Sequence, residues 1–535
     1  MVVSAFDSAK SIPETRIAIL AYGGLAAWVL LLAVGILVLN DGRFIYTLDD
    51  PYIHLAMSEG IHAGGYGINP HEAAAAASSI LFPYLLAWAA PYGFHEYVPF
   101  AINVVALVVM VFIFRAFLKE IGLDRTPRGR IAVTVISAAL PILMNLVGLI
   151  YMGMEHPLQV LLDAAIFLGL VRMLNRHRVD PWLPAILVLA PLVRYESLLI
   201  SGLALLVMLR YGWWKLALPT ALLIAGSVGA FSLYLLSLGL SPMPSSVAAH
   251  SNSVDHAILG SRFVSILYSL MDQAASNFIQ LRGPLLLIFA VVFGIMAFRP
   301  AKASRSRSDK LFAHFGWLAC LGYLFFGKTM GMGRHETAIL TLSIMILIYL
   351  MRTRIAEDIE AGARSRPTTA AICLIAAVSG TYVPGAILVP LASNNIYEQQ
   401  YQMHRLITEF IPGPVAVNDI GWVAYRNEAP VLDLWGLASP DALRVRKAGF
   451  NPGTLAELTE KAGVRLIMIY DEWIPTHPTD RWTPLARLRL SKPPIYADKR
   501  TVALYAPAGA DIAGLRAKLR EFARTIPPGA SLDMN

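Results

Sequence analysis

Long apolar runs separated by short polar turns dominate this chain. They centre on 17–39, 97–117, 131–150, 157–171, 181–193, 197–209, 214–240, 283–298, 311–327, 337–351 and 368–391. An α-helix needs ~20 residues to cross ~30 Å of hydrocarbon at 1.5 Å per residue, so the pattern predicts about eleven transmembrane helices. Ile17 to Leu39 is 23 nearly uninterrupted apolar residues, longer than a signal-peptide core, and reads as an anchor rather than a cleaved leader. Ser78 to Pro91 is also apolar, but it is only ~14 residues long and carries Pro83, so it is expected to lie along or dip into the interface.

Counting parity tests that choice, because every span moves the next loop to the other side. With eleven spans and the N-terminus inside, the inside loops 1–16, 118–130, 172–180, 210–215, 299–310 and 352–367 hold 20 Lys and Arg. The outside loops 40–96, 151–156, 194–196, 241–282 and 328–336 hold 6 over a longer stretch. Positive charge is retained on the cytoplasmic side of a membrane, which supports this orientation; counting 78–91 as a span would invert it.

The period changes near Ser393. VAVNDIG (415–421), APVLDLWGL (429–437) and VRLIMIYDEW (464–473) read as short buried strands, and TLAELTEKAG (454–463) and AGLRAKLREFAR (513–524) as amphipathic helices. The expected architecture is an α-helical polytopic membrane protein with a C-terminal α/β soluble domain: a membrane part over 1–392, including a first outside loop 40–96, and an extracytoplasmic part over 393–535.

Composition agrees. The 535 residues are 56% hydrophobic and only 15% charged, which excludes a soluble multidomain protein. The net charge of +8 lies in short loops beside apolar runs, a topology signal and not a nucleic-acid face. Cys320 and Cys373 both fall inside apolar runs, so no disulfide framework is readable.

Candidate chemistry gathers in the outside turns. YTLDDPYIHLAMSEGIHAGGYGINPHE (46–72) places Asp49 and Asp50 side by side at the membrane edge, ahead of a helix whose Pro51 suits a first turn and which also carries Tyr52 and His54. An aspartate here can cap the helix; equally, adjacent carboxylates repel, and one of them can hold a raised pKa suited to proton abstraction. GMEHP adds Glu155 and His156, RYE adds Arg194 and Glu196, GRHE adds Arg334, His335 and Glu336, and the loop opened by SPMPSS adds Ser245, Ser246 and His250. Arg194 and Arg334 at the mouth of such a cleft can grip a phosphate with planar forks.

The run DDxYIxxA, the G-x-Y-G-x-N-P-x-E turn, GMExP, R-x-E and PxP-S-S together resemble the GT-C superfamily of polyprenyl-phosphate-dependent glycosyltransferases, with bacterial arabinofuranosyltransferase-type cell-envelope enzymes the nearest likeness. The resemblance spans roughly residues 40–340, and more loosely the NDIG…LDLWGL stretch. It implies a lipid-linked sugar donor, Asp49 or Asp50 as general base, inversion at the anomeric carbon, and Arg194, Arg334 and His335 around the donor phosphate. Tyr52, His54, Glu155, His156, Glu196, Ser245, Ser246 and His250 are candidates to meet the acceptor or to line the site around the reacting groups. The implied partners are membrane lipids and a glycan, glycolipid or protein acceptor, in a bacterial cytoplasmic membrane. This chain departs from the pattern where relatives carry Arg-Pro-Glu and Pro-Asn-Thr, having Arg194-Tyr195-Glu196 and Pro244-Ser245-Ser246.

A divalent metal stays open, since Asp49, Asp50, His54, Glu155 and His156 offer hard ligands at spacings matching no defined metal motif. The rival reading is a transporter or lipid flippase of the envelope. That class calls for charges and helix breaks at mid-membrane, whereas these charges cluster at helix ends.

Overall fold

The computed structural model describes residues 13–245, 262–299, 306–329 and 333–535. The apolar runs are helices: α1 (Glu14–Leu39), α3 (Val98–Glu120), α4 (Pro127–Leu143), α5 (His156–Arg176), α6 (Trp182–Val193), α7 (Ser197–Arg210), α8 (Trp214–Ser237), α10 (Arg282–Phe298), α11 (Arg307–Phe326), α12 (Thr337–Ala361) and α13 (Arg366–Gly380). A further helix, α9 (Arg262–Ile279), lies within 241–282, which the sequence pattern leaves as a loop. The first long loop, 40–96, contributes α2 (Asp50–His62). All eleven expected segments fall on helices, but two are divided: in 131–150 α4 stops, Asn145 turns left-handed and a five-residue helix follows, and 368–391 breaks after Gly380 and again at Leu388, into Val383–Ile387 and Val389–Glu398.

Among the described residues, five helices are long and apolar enough to cross a membrane, and six if α9 and α10 form one span bent by 105°. Their side chains behave accordingly. On α1, Leu25, Leu32 and Ile36 form one buried stripe, while Leu20, Leu30, Leu31, Val34 and Val38 stay exposed, as on a lipid-facing helix. The first half of α12 is buried on every face from Thr337 to Tyr349, and α5 is nearly as enclosed, so these two form the centre of the bundle. The result is a multi-pass membrane protein. The apolar stretch 78–91 carries only a six-residue helix, Phe82–Ala87, far too short to span.

Beyond α13 the chain builds a six-stranded mixed sheet in the order β2-β1-β3-β5-β4-β6. The three expected strands are present as β1 (Val415–Val417), β2 (Val431–Asp433) and β3 (Leu466–Ile469), paired in parallel. Three antiparallel neighbours extend the sheet: β4 (Thr483–Leu490), β5 (Thr501–Ala506) and β6 (Ala530–Met534). The expected helices appear as Pro452–Lys461 and Ile512–Ala523. One apolar cluster joins Tyr52, Leu55 and Phe82 of the first loop to Val415, Val417, Leu466 and Leu488 of the sheet. The first loop is therefore clamped between the bundle and the sheet.

Candidate active site

Three glutamates set the plan of the cleft. Glu155, Glu196 and Glu336 each occupy the N-cap of an apolar helix, α5, α7 and α12 respectively. A carboxylate is favoured there by the partial positive charge of the helix start. Two of these helices are the central pair, so packing of the bundle alone carries Glu155 and Glu336 to one place.

Arginines compensate them. Arg194 sets Nε and Nη2 on the two oxygens of Glu196 at 3.1 and 2.5 Å, and Nη1 on Glu155 Oε1 at 2.8 Å. Glu155 also accepts from Ser78 Oγ at 2.8 Å and faces His54 Nε2 at 3.4 Å. Burial alone would push the Glu155 carboxyl up; His54 and the Arg194 guanidinium more than reverse that and hold it at about 2. His54 is itself pushed below its ordinary value by burial, so the ion pair proper is Arg194 with Glu155. Arg282, at the bend between α9 and α10, binds Glu336 at 2.9 Å and lies over the Tyr382 ring at 4.4 Å.

Arg334 differs from the other two. Its Nη2 meets Asp50 Oδ2 at 2.6 Å, and its Nε donates to His335 Nε2 at 3.3 Å. Its Nη1 is buried with no hydrogen-bond partner among the described residues. The Asp50 side chain is 38% exposed, the most open carboxylate of the cleft. His335 Nδ1 lies 3.4 Å from Arg194 Nη2, and its ring stands edge-on to His156 at 5.1 Å.

Asp49 and Asp50, neighbours in sequence, point into different environments. Neither side chain caps α2. Asp49, nearly buried, instead accepts the backbone N–H groups of Gly421 at 2.6 Å and Trp422 at 2.9 Å, capping a four-residue helix, Gly421–Ala424, that follows β1. A Cβ at position 421 would lie 2.0 Å from the Asp49 carbonyl oxygen, so only glycine fits. The Asp49 carboxyl also hydrogen-bonds Asp419, whose Oδ2 accepts from Gln400 at 2.8 Å and Tyr470 at 3.2 Å. Burial first, and Asp419's charge second, push Asp49 well above the ordinary carboxylate range, and Asp419 is raised by burial as well. A hydrogen bond between two carboxyls requires a proton on one of them.

The structure thus brings Asp50, His54, Glu155, His156, Arg194, Glu196, Arg334 and His335 into one cleft. Tyr52 lies apart from it: its hydroxyl accepts from Tyr46 N at 3.1 Å and its ring packs at 4.0 Å on Trp422, a support for the docked sheet. Ser245 is tied to Ala75 through its backbone N–H at 3.0 Å. Ser246 and His250 lie outside the described residues. Among the described residues no group of three or more His, Cys, Asp and Glu is placed to hold a metal ion. Asp419, Gly421 and Trp422 are not among the residues the sequence pattern singles out; their signal is the Asp-x-Gly turn directly after a strand, and Arg282 reads there only as a loop charge.

Comparison with known proteins adds the following. A family model described as "Domain of unknown function (DUF8728)" matches residues 394–505, well short of half the chain. No curated protein matches. Among solved structures, the oligosaccharyltransferase of Archaeoglobus fulgidus in its apo form is 12% identical over 95% of this chain and 78% of its own, with a TM-score of 0.42. The A. fulgidus oligosaccharyltransferase AglB, in complex with an inhibitory peptide and a dolichol-phosphate, is 12% identical over 92% and 77%, with a TM-score of 0.39. The arabinofuranosyltransferase AftD from Mycobacteria is 14% identical over 91% of this chain and 42% of its own, with a TM-score of 0.41. A common fold does not follow from TM-scores at this level, so the functional reading rests on the chain's own residues.

Proposed function

We propose that this protein is an integral membrane glycosyltransferase that moves a sugar from a polyprenyl-phosphate donor to a cell-envelope glycan, glycolipid or protein. Arabinofuranose is the sugar the motif resemblance favours. The observation that carries the proposal is the contact of Asp50 with Arg334 in a cleft at the ends of the bundle helices. An open carboxylate and a guanidinium with an unused buried N–H are the two groups this reaction requires, and the helix ends are where a lipid tail stays in hydrocarbon while its phosphate meets water.

In this mechanism the donor phosphate takes Arg334 from Asp50, and the released carboxylate accepts the acceptor's proton. The acceptor oxygen attacks the anomeric carbon from the face opposite the phosphate, the C–O bond to phosphate breaks, and the configuration inverts. Arg334 stabilises the charge that develops on the leaving polyprenyl phosphate. Arg194, saturated by Glu155 and Glu196, positions the cleft walls and His335 rather than meeting the donor directly. Asp49 and Asp419 hold the C-terminal sheet over the first loop.

The same reading has eleven spans, the N-terminus in the cytoplasm, and the cleft and residues 393–535 outside a bacterial cytoplasmic membrane. The test is transfer by purified protein from a synthetic polyprenyl-phosphate sugar. Activity that is absent with every such donor, or untouched in both Asp50→Asn and Arg334→Lys, contradicts the proposal.

A further inference from the structure

A groove of about 610 Å³ runs between α4, α12 and α13, on the membrane face opposite the cleft. Its walls are Ile136, Leu140, Leu347, Ile348, Ile355 and Ile372, and its mouth carries Arg128 and Arg364. All three helices turn at this mouth: α4 begins at Pro127, α12 ends at Ala361 and α13 begins at Arg366. From Thr337 beside the cleft to Ala361 at the mouth, α12 covers 25 residues, which is ~37 Å of rise and a full membrane thickness. A molecule in the groove is therefore distinct from a donor whose phosphate meets Arg334.

Two carboxylates stand near these guanidiniums, and each is turned to uncharged donors: Asp358 accepts from Ser365 N at 3.0 Å and Ser365 Oγ at 2.8 Å, and Glu360 from Thr126 Oγ1. Arg128 lies against the same turn, donating from Nη1 to the backbone carbonyl of Glu360, a bond that neutralises none of its charge. Below the mouth, the α4 wall from Arg128 to Leu143 rises ~22 Å, longer than the ~15 Å of one leaflet's hydrocarbon. An apolar slot one leaflet deep, headed by two guanidiniums at the membrane-water level, complements an acyl chain ending in a negatively charged phosphodiester.

We propose that this groove binds one anionic phospholipid of the surrounding bilayer, with its phosphate between Arg128 and Arg364. The test is native mass spectrometry of the full chain in detergent, supplemented with equimolar phosphatidylglycerol and phosphatidylethanolamine. Wild type is expected to retain one phosphatidylglycerol in preference. The double variant Arg128→Gln, Arg364→Gln should hold it about 30-fold more weakly, level with phosphatidylethanolamine, as two lost guanidinium contacts imply. Ala371→Phe fills the slot without touching the charges and should weaken retention too; unchanged elution in gel filtration reports that each variant is folded. Equal retention of the two lipids by wild type, or undiminished phosphatidylglycerol on either folded variant, overturns the proposal. So does a polyprenyl phosphate, rather than a phospholipid, as the molecule lost in these variants. Because no arm measures sugar transfer, its outcome is independent of the proposed reaction.

Discussion

The carboxylate of Asp49 receives the backbone N–H of Gly421 at 2.6 Å across 372 residues of sequence, while Asp50 turns to Arg334. Two adjacent aspartates thereby divide two tasks: one fastens the sheet to the first loop, and the other faces the cleft.

That division makes their variants separable. Asp50→Asn should lower transfer by ~10²–10⁴-fold, the usual share of a general base, with little change in melting temperature. Asp49→Asn cannot accept both N–H groups in the same way and should cost ~1–3 kcal/mol in stability, with faster proteolysis between the bundle and the sheet. Activity assays paired with thermal melts check this; stable, inactive Asp49→Asn with active Asp50→Asn would exchange the roles.

The Asp49–Asp419 pair predicts a pH dependence whose sign is fixed. Both carboxyls lie above their ordinary range, so the folded protein keeps a proton that the unfolded chain releases. Their contribution is full below the ordinary carboxylate pKa and is lost as pH rises through the raised value. Hydrogen exchange at Gly421 and Trp422 should accordingly quicken as pH rises, beyond the chemical increase. Asp419→Asn, which needs no shared proton, should flatten that excess.

Arg194 and Arg334 should respond differently to substitution. Arg194→Ala strands a fully buried Glu155 and should destabilise the fold by ~3–5 kcal/mol. Arg334→Lys keeps a charge but loses the planar fork, and should raise the donor KM or lower the turnover while leaving the melting temperature near wild type. Donor titrations and melts on both variants read the difference directly.

Much of this was legible in the sequence because bilayers impose strong patterns. Apolar runs mark the helices, and the short polar turns between them carry Glu155, Arg194, Glu196 and Arg334. Missing were the partners of these groups. Spacing cannot reveal that Arg194 is matched by two carboxylates whereas Arg334 keeps a free N–H, because that depends on how α5, α7 and α12 pack. Nor could it separate Asp49 from Asp50, since the decision rests with Gly421, in a segment whose turn residue was read as the tail of a strand. The strands β4 to β6 escaped because a sheet packed on one face shows only weak alternation beside the strong signal of membrane helices.

The orientation is open to labelling. In a background with Cys320 and Cys373 replaced, cysteine at the exposed turn residue Ala508 should react with an impermeant reagent from outside intact cells, and cysteine at the exposed Thr353 only after lysis. The reverse pattern would place the cleft in the cytoplasm.

The most direct test of the central claim is the anomeric outcome of transfer from a synthetic polyprenyl-phosphate sugar by wild type, Asp50→Asn and Arg334→Lys. The account predicts a product inverted at the anomeric carbon with wild type, ~10²–10⁴-fold less product with Asp50→Asn, and a clear loss with Arg334→Lys. A product of retained configuration, or full turnover in both variants, would contradict it.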